Sequence, residues 1–444
     1  MSYGWARGVL TAYRLAGSLA YPMLGAYVGW RASRGKEDPL RRRERYGFTA
    51  VARPDDAPVI WVHAASIGES AAVTPLVRAI AAEGFRIVMT TGTVASATLV
   101  GERLSDAVIH QYVPLDLKPS VSRFLDHWRP ELAIVAESEI WPMTLMELGK
   151  RRIPQVLVNA RLSDRSFRRW RAVPYLAEAL LENLAHIVAQ SEVDGERYHM
   201  LGARAVTVAG NLKADTTPPP LTDRTEALEI AQAVGRRPTF AAISTHEGEE
   251  VMIAQVQRKL TEKHPRLLSI IVPRHVERGA DIARELQGKG FRVARRSLGE
   301  LPDPTTDIFL GDTVGEMGLY LRLTEIAFVG KSLSGEGGQN PLEAAMLGSA
   351  ILSGRYVQNF RDIYQRLLKN GGARIVRDAD QLAEQIDVLL TEPETRTAMI
   401  TNAKASVVEM RGALSRTMQA LEPFLHPMRL SLNFDRRHRT GNGR

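Results

Sequence analysis

The 444-residue sequence contains no cysteine, which removes disulfides, thiolate metal sites and thiol nucleophiles together and fits a reducing compartment. Sharp catalytic signatures are missing as well. No HExxH, GxSxG or GxxxxGK(S/T) run occurs, and the histidines lack metal-ligand spacing. No nucleic-acid-binding module and no basic patch interleaved with aromatics is present, which sets nucleic acid aside as a partner. With 44% hydrophobic and 24% charged residues, the composition leaves little room for extensive disorder.

The length exceeds what one hydrophobic core usually organises, so two domains are expected. A net charge of +8 favours acidic partners, such as anionic lipid or a negatively charged substrate. Residues 15–30 carry no charge and are followed by Arg31, Arg34, Lys36, Arg41, Arg42 and Arg43. Basic residues after an apolar stretch oppose export, so residues 1–32 read as a membrane-anchor helix at the cytoplasmic face rather than as a cleaved signal. The uncharged stretch reaches about 24 Å against a hydrocarbon core of about 30 Å, which leaves spanning and interfacial anchoring both open. An amphipathic helix packed on the first domain is the alternative, and Pro22 interrupts the helix in every case. Residues 426–444 read as a basic tail, disordered from Arg436.

Beyond the anchor, short apolar runs alternate with longer amphipathic ones. PVIWVHA, FRIVMTTG, LAIVAESE, IPQVLVNA, HIVAQS and AVTVAGN each end in a small or polar turn before a helical pattern, which predicts one parallel sheet over residues 33–215. TTPPPLTDR, from Thr216, reads as a linker. PTFAAIST, LLSIIVPR, FRVARR, DIFLGD, IAFVGKS and SAILSG then predict a second doubly wound sheet over 216–425. Two Rossmann-like domains facing across a cleft constitute the GT-B architecture of glycosyltransferases.

In GKSLSGEGGQNPLEAA, from Gly330, a strand passes into a glycine-rich loop and a helix, with Asn340 expected as N-cap and Pro341 at the first helical position. Free amides there would bind an anion. Glu343 either closes a capping box with Asn340 or binds hydroxyls of a sugar or ribose. Ser66, Gly68 and Glu69 stand at a similar strand-to-helix turn, where Glu69 is either a capping residue or a general base. Alternation along AESEIWP points Glu137 and Glu139 to one side. They either pair with Arg161 and its neighbours or serve chemistry, in which case those arginines receive an anionic acceptor. Ser244, Thr245 and His246, with Arg274 and His275, occupy strand ends suited to phosphate contacts. Asp378-Ala-Asp380 is the metal-binding DxD pattern of other glycosyltransferases, but Asp380 reads more simply as a helix cap, so no metal is expected.

The ordered set ASIGE at Ala65, ESEIWP at Glu137, NARLSDRS at Asn159, GNLKAD at Gly210, STHEGEE at Ser244, VPRH at Val272, GEMGLYL at Gly315 and GGQNPLEAA at Gly337 resembles the 3-deoxy-D-manno-octulosonate (Kdo) transferases of lipopolysaccharide synthesis. The resemblance spans nearly the whole chain. Two positions depart from it: the family commonly has histidine where Gln339 stands and proline where Ala344 stands.

The resemblance implies transfer of Kdo from CMP-Kdo to the lipid A precursor lipid IVA, with inversion and without a metal or other cofactor. It implies Glu69 as general base, with Glu137 and Glu139 in the catalytic group and Ser66, Gly68 and Arg161 on the acceptor side. CMP-Kdo would then lie among Lys213, Thr245, His246, Pro273, Arg274, His275, Gly315, Glu316, Met317, Gly337, Gly338, Asn340 and Glu343. The implied location is the cytoplasmic leaflet of the inner membrane. A sugar-nucleotide epimerase of the same fold and a non-catalytic, membrane-associated nucleotide sensor are the alternatives.

Overall fold

A computed structural model describes residues 3–20, 24–219, 221, 223–335 and 337–441, with side chains undescribed at 3, 18–20 and 434–441. The chain forms two compact units: residues 1–216 together with 411–444, and residues 217–410. Pro22, expected to interrupt the anchor, lies outside the described residues.

The first unit is built on seven strands: β1 (Val59–His63), β2 (Arg86–Thr91), β3 (Val108–Tyr112), β4 (Leu132–Ala136), β5 (Gln155–Ala160), β6 (His186–Ala189) and β7 (Val206–Val208). All pairings are parallel, in the order β3-β2-β1-β4-β5-β6-β7. Alternation along β1 sends its side chains to two cores, as expected for a sheet covered on both faces. Ile60 and Val62 pack with Val73, Leu76 and Val77 of α3 (Ile67–Ala82), whereas Val59 and Trp61 pack with Val121, Phe124 and Trp128.

The second unit repeats the plan with β8 (Thr239–Thr245), β9 (Leu268–Pro273), β10 (Val293–Arg295), β11 (Ile308–Leu310), β12 (Ile326–Val329), β13 (Ala350–Ser353) and β14 (Ala373–Ile375). Its order is β10-β11-β9-β8-β12-β13-β14, again parallel throughout. The strand order reverses beside β1 and β4 in the first sheet and beside β8 and β12 in the second, where β11 also inserts between β9 and β10. Such switch points open a crevice at the carboxyl ends of the strands where ligands bind.

Three boundaries differ from the expectation. The N-terminal stretch forms two helices, α1 (Tyr3–Ala20) and α2 (Leu24–Ser33), and no helix among the described residues is long and apolar enough to cross a membrane. Ala6 and Leu10 of α1 are buried in a core of the first unit, as in the packed-helix alternative, while Trp5, Tyr13 and Leu15 stay exposed. The second domain ends at Met410 rather than at residue 425, because the helix Ala413–Gly441 inserts Ala413, Leu421, Leu425 and Leu432 into the first core. That helix also corrects the disordered tail, since it remains helical through Gly441.

Candidate functional site

The turn after β1 places Glu69 in the first turn of α3. Ser66 caps the helix by accepting from the Glu69 amide, and the Ser66 hydroxyl donates to Glu69 Oε1 at 2.9 Å. Glu69 Oε2 accepts from the Ala65 amide at 2.8 Å. The capping geometry is therefore present, and it fixes the carboxylate without satisfying it electrostatically. Burial, foremost, and then the negative charges of Glu137 and Glu139 push the Glu69 carboxyl up to about 7. One side chain thus combines the capping contacts with a carboxyl raised towards neutrality.

Glu137 follows β4, across the switch point from β1, with φ 55°. It accepts from Lys213 Nζ at 2.7 Å. Glu139, two residues on, accepts from Trp141 Nε1 at 2.6 Å, and burial raises its carboxyl above the ordinary range. Asp116 steadies this loop from below by accepting from the amides of Met143 and Thr144, where the helix Pro142–Lys150 begins, and from the hydroxyl of Tyr13 in α1. Asn159 at the end of β5 is also left-handed, with φ 50°, and accepts from the Leu212 amide beside Lys213. Left-handed, non-glycine residues at the carboxyl ends of adjacent strands are sites of stored strain, which collects where function demands a particular geometry.

The second unit carries the same mark. Ser244 in β8 and Lys331 just past β12 have φ 52° and 54°, again beside the switch point. The Thr245 hydroxyl donates to Glu250, which Arg278 also contacts at 3.1 Å. His246 meets Gln339 Nε2 at 3.1 Å, and its ring lies edge-on to His275, with centroids 5.5 Å apart. Burial first, then Lys331, lowers the His246 pKa, with smaller contributions from His275 and Arg274, so the ring is neutral at pH 7. Thr245, His246, Arg274 and His275 thus gather as expected, and Lys331 and Gln339 join them. The Arg274 amide bonds to the Thr245 carbonyl, and Pro273 ends β9 immediately before it.

The glycine-rich loop differs from the free-amide cradle expected of it. Buried Glu249 accepts from the amides of His246, Lys331, Ser332 and Leu333 at 2.6–3.1 Å. The Gly337 amide bonds to Gln358 and the Gly338 amide to the Lys331 carbonyl. Gly338, with φ 71°, leaves room for a neighbouring backbone: an added Cβ would lie 2.8 Å from the Tyr356 carbonyl oxygen. These amides therefore hold the loop to its own unit. The helix is only Leu342–Leu347 and its cap position falls on Pro341, which makes no side-chain capping bond, so Asn340 stands one residue outside the expected place and accepts from the Leu342 amide at 3.2 Å, with Glu343 in the first turn.

The other expected site residues stand on further elements of the two units. Lys213 belongs to the first unit, where its Nζ donates to Glu137. Glu316 is engaged by Arg296 at 2.7 Å and by Thr313 and Tyr320; burial opposes ionisation, but these partners outweigh it and lower the carboxyl's pKa. Gly315 and Met317 flank it, Met317 opening the helix Met317–Tyr320. Arg161 is half-buried, its carbonyl accepting from the buried Tyr198 hydroxyl, and Gly68 stands in the first turn of α3. Asp378, not Asp380, caps the helix Ala379–Thr391, because its carboxylate reaches the Gln381 amide, while Asp380 pairs with Lys259. Sequence reasoning missed Glu249, Glu250, Lys331 and Arg278. The acidic run of STHEGEE was the available signal for the first two.

Residues 40–216 match the family model described as 3-Deoxy-D-manno-octulosonic-acid transferase (kdotransferase). A 3-deoxy-D-manno-octulosonic acid transferase of Haemophilus influenzae is 36% identical over 413 residues, covering 92% of this chain and 96% of that protein. Its Bordetella pertussis counterpart is also 36% identical, over 434 residues and 94% and 99% of the two chains. The chain belongs to the Kdo transferase family. It is therefore a glycosyltransferase that transfers Kdo. Among solved structures, a glycosyltransferase from Rickettsia africae aligns with TM-score 0.59 at 11% identity, over 83% of this chain and 99% of that one. A UDP-GlcNAc 2-epimerase from Neisseria meningitidis aligns with TM-score 0.54 at 15% identity, over 80% and 99%. These likenesses show the fold, two parallel-sheet α/β domains resembling GT-B glycosyltransferases. The epimerase shares that fold, and the Kdo transferase relatives separate the two activities.

Proposed function

We propose that this Kdo transferase takes Kdo from CMP-Kdo and attaches it to a glucosamine hydroxyl of lipid IVA, with inversion, in a single in-line displacement. The observation that carries the reading is Glu69: a fixed carboxylate at a strand-end crevice, raised to about 7, able to accept a proton near neutrality. The acceptor hydroxyl gives its proton to Glu69 while its oxygen bonds to the anomeric carbon. The bond from that carbon to the phosphate oxygen breaks, and its electron pair leaves with CMP. Glu137 and Glu139 tune the base, and Ser66, Gly68 and Arg161 form the acceptor side.

Thr245, His246, Arg274, His275 and Lys331 form the donor side. A nucleoside monophosphate leaving group carries less charge than a diphosphate, and the cations Arg274 and Lys331 are suited to receive it without a divalent ion. Neutral His246 adds a hydrogen bond rather than a charge. The lipid acceptor gives the N-terminal helices a purpose. Trp5, Tyr13 and Leu15 of α1 and Tyr27 and Trp30 of α2 are exposed, with the Arg34 guanidinium 4.4 Å from the Trp30 ring. Aromatics and arginines in this arrangement suit an interfacial seat on the cytoplasmic leaflet of the inner membrane.

The test is a reaction of the purified full chain with CMP-Kdo and lipid IVA, following CMP release and product mass, with NMR of the product's anomeric configuration. Stoichiometric CMP and a Kdo-lipid of inverted configuration are expected, unchanged by a chelator. Absence of CMP release, or retained configuration, refutes the scheme.

A further inference from the structure

A chain of buried polar contacts runs behind the turn that carries Glu69, and nothing in the proposed chemistry uses it. It starts in α2, where Arg31 Nε donates to Glu37 Oε1 at 2.8 Å. The other oxygen of Glu37 accepts from Arg45 Nε, also at 2.8 Å, and both Glu37 and Arg45 are 5% exposed. The remaining guanidinium nitrogens of Arg45 donate to the Gly92 carbonyl at 2.6 Å and the Val113 carbonyl at 3.2 Å, while its plane lies 5.1 Å from the centre of the Tyr112 ring. The Gly92 amide then donates to the Ala65 carbonyl at 2.9 Å. The Ala65 amide in turn donates to Glu69 Oε2.

A buried ion pair is a poor source of net stability, because removing two charges from water offsets most of their attraction. What such a pair does well is fix geometry. The planar guanidinium holds a carboxylate and two carbonyls in one fixed arrangement, which a lysine ammonium on a flexible stem does not reproduce. Gly92 is the narrow point of the route: a Cβ there would lie 2.8 Å from the Ala65 carbonyl oxygen, so even a methyl group must displace the Ala65 peptide.

We propose that Arg45 is a positioning residue for the Ala65–Glu69 turn, and that the rate of transfer depends on the buried Glu37–Arg45 pair. The inference rests on Glu69 acting as the base. Besides Ser66 and the Ala65 amide, the groups that act on Glu69 are Glu137, with its partner Lys213, and Glu139. None of these is altered by a charge-conserving change at Arg45 or by Gly92→Ala. Both changes loosen the Ala65 N–H bond that favours the ionised carboxylate, so both move the acid limb of kcat to higher pH.

The experiment compares Arg45→Lys, Gly92→Ala and Glu69→Gln, and each of the first two combined with the third, in the full chain with CMP-Kdo and lipid IVA. Thermal melting checks that each is folded. Arg45→Lys and Gly92→Ala are expected to lower kcat by about tenfold with donor KM within about twofold, and to raise the acid limb. In the Glu69→Gln background each should change the residual rate by less than about twofold, because the group being positioned is gone. Equal losses in both backgrounds would mark general damage and overturn the proposal, as would near-normal kcat in either variant beside an impaired Glu69→Gln. Near-normal turnover in Glu69→Gln itself removes the base reading, and this inference with it.

Discussion

Glu69 has a pKa raised by burial and by two neighbouring carboxylates, and each cause makes a different measurement move. Glu137→Gln removes one of the negative charges and leaves Lys213 behind, so ionisation of Glu69 becomes easier. The acid limb of kcat/KM is expected near pH 7 in the wild type and lower in Glu137→Gln; a limb that stays or rises contradicts the assignment. Stability follows the same carboxyl with the opposite sign. Because the folded-state pKa is above the unfolded 4.5, ionising Glu69 weakens the fold progressively from about pH 4.5 to pH 7. Glu69→Gln escapes this, so its stability relative to wild type should improve by up to about 3 kcal/mol between those pH values. Denaturant melts at the two pH values check it. ASIGE alone left capping and catalysis unresolved because both need a carboxylate at the same position. The Glu137 charge just past neighbouring β4, which helps to raise the Glu69 carboxyl, lies almost 70 residues away in sequence (137 − 69 = 68).

At the scale of elements, the apolar runs identified most strands, since parallel strands buried on both faces are written as continuous Val, Ile and Leu. β3 escaped because VIHQY sets His110 and Gln111 side by side in a strand at the sheet edge, and β14 because Arg374 separates the two apolar residues of ARI. The Gly330 loop was legible as a strand-to-helix turn but not in its wiring. Glu249 accepts from three amides of the stretch expected to offer free N–H groups, those of Lys331, Ser332 and Leu333, and it does so from the helix Glu249–Thr261, about 80 residues earlier (331 − 249 = 82). Glu249→Gln replaces one of the two acceptor oxygens with a donor aimed at N–H groups. It should destabilise the second unit by roughly 2–4 kcal/mol and raise donor KM, since Lys331 and Gln339 hang on this loop. Hydrogen exchange across residues 331–333 should accelerate; wild-type protection there would show that the clamp is not what orders the loop.

At the scale of the molecule, the division into two sheets was readable from the proline segment at 216–224, whereas the allegiance of the last 34 residues was not. An amphipathic helix announces an apolar face but not which core receives it. Here the receiving residues, Val73, Leu76 and Ala209 among them, lie some 200 or more positions upstream (413 − 209 = 204). Specific polar contacts support the return: Asp215 accepts from the amides of Gly412 and Leu414, Arg416 donates to the Ala209 carbonyl, and Arg429 pairs with Glu83. The first unit is therefore discontinuous, and a fragment ending at residue 216 lacks part of its own core. Leu425 is fully buried there, so Leu425→Ala should destabilise the first unit by about 2–5 kcal/mol. Glu69, Glu137 and Glu139 sit in that unit, and the proposed donor residues Thr245, His246, Arg274, His275 and Lys331 sit in the other. Leu425→Ala should accordingly raise exchange in β1 peptides and lower the transition temperature for loss of activity, while β8 peptides and CMP-Kdo binding at low temperature stay as in wild type. Equal acceleration of β1 and β8 peptides would mean that the helix supports both units and that the chain unfolds as one.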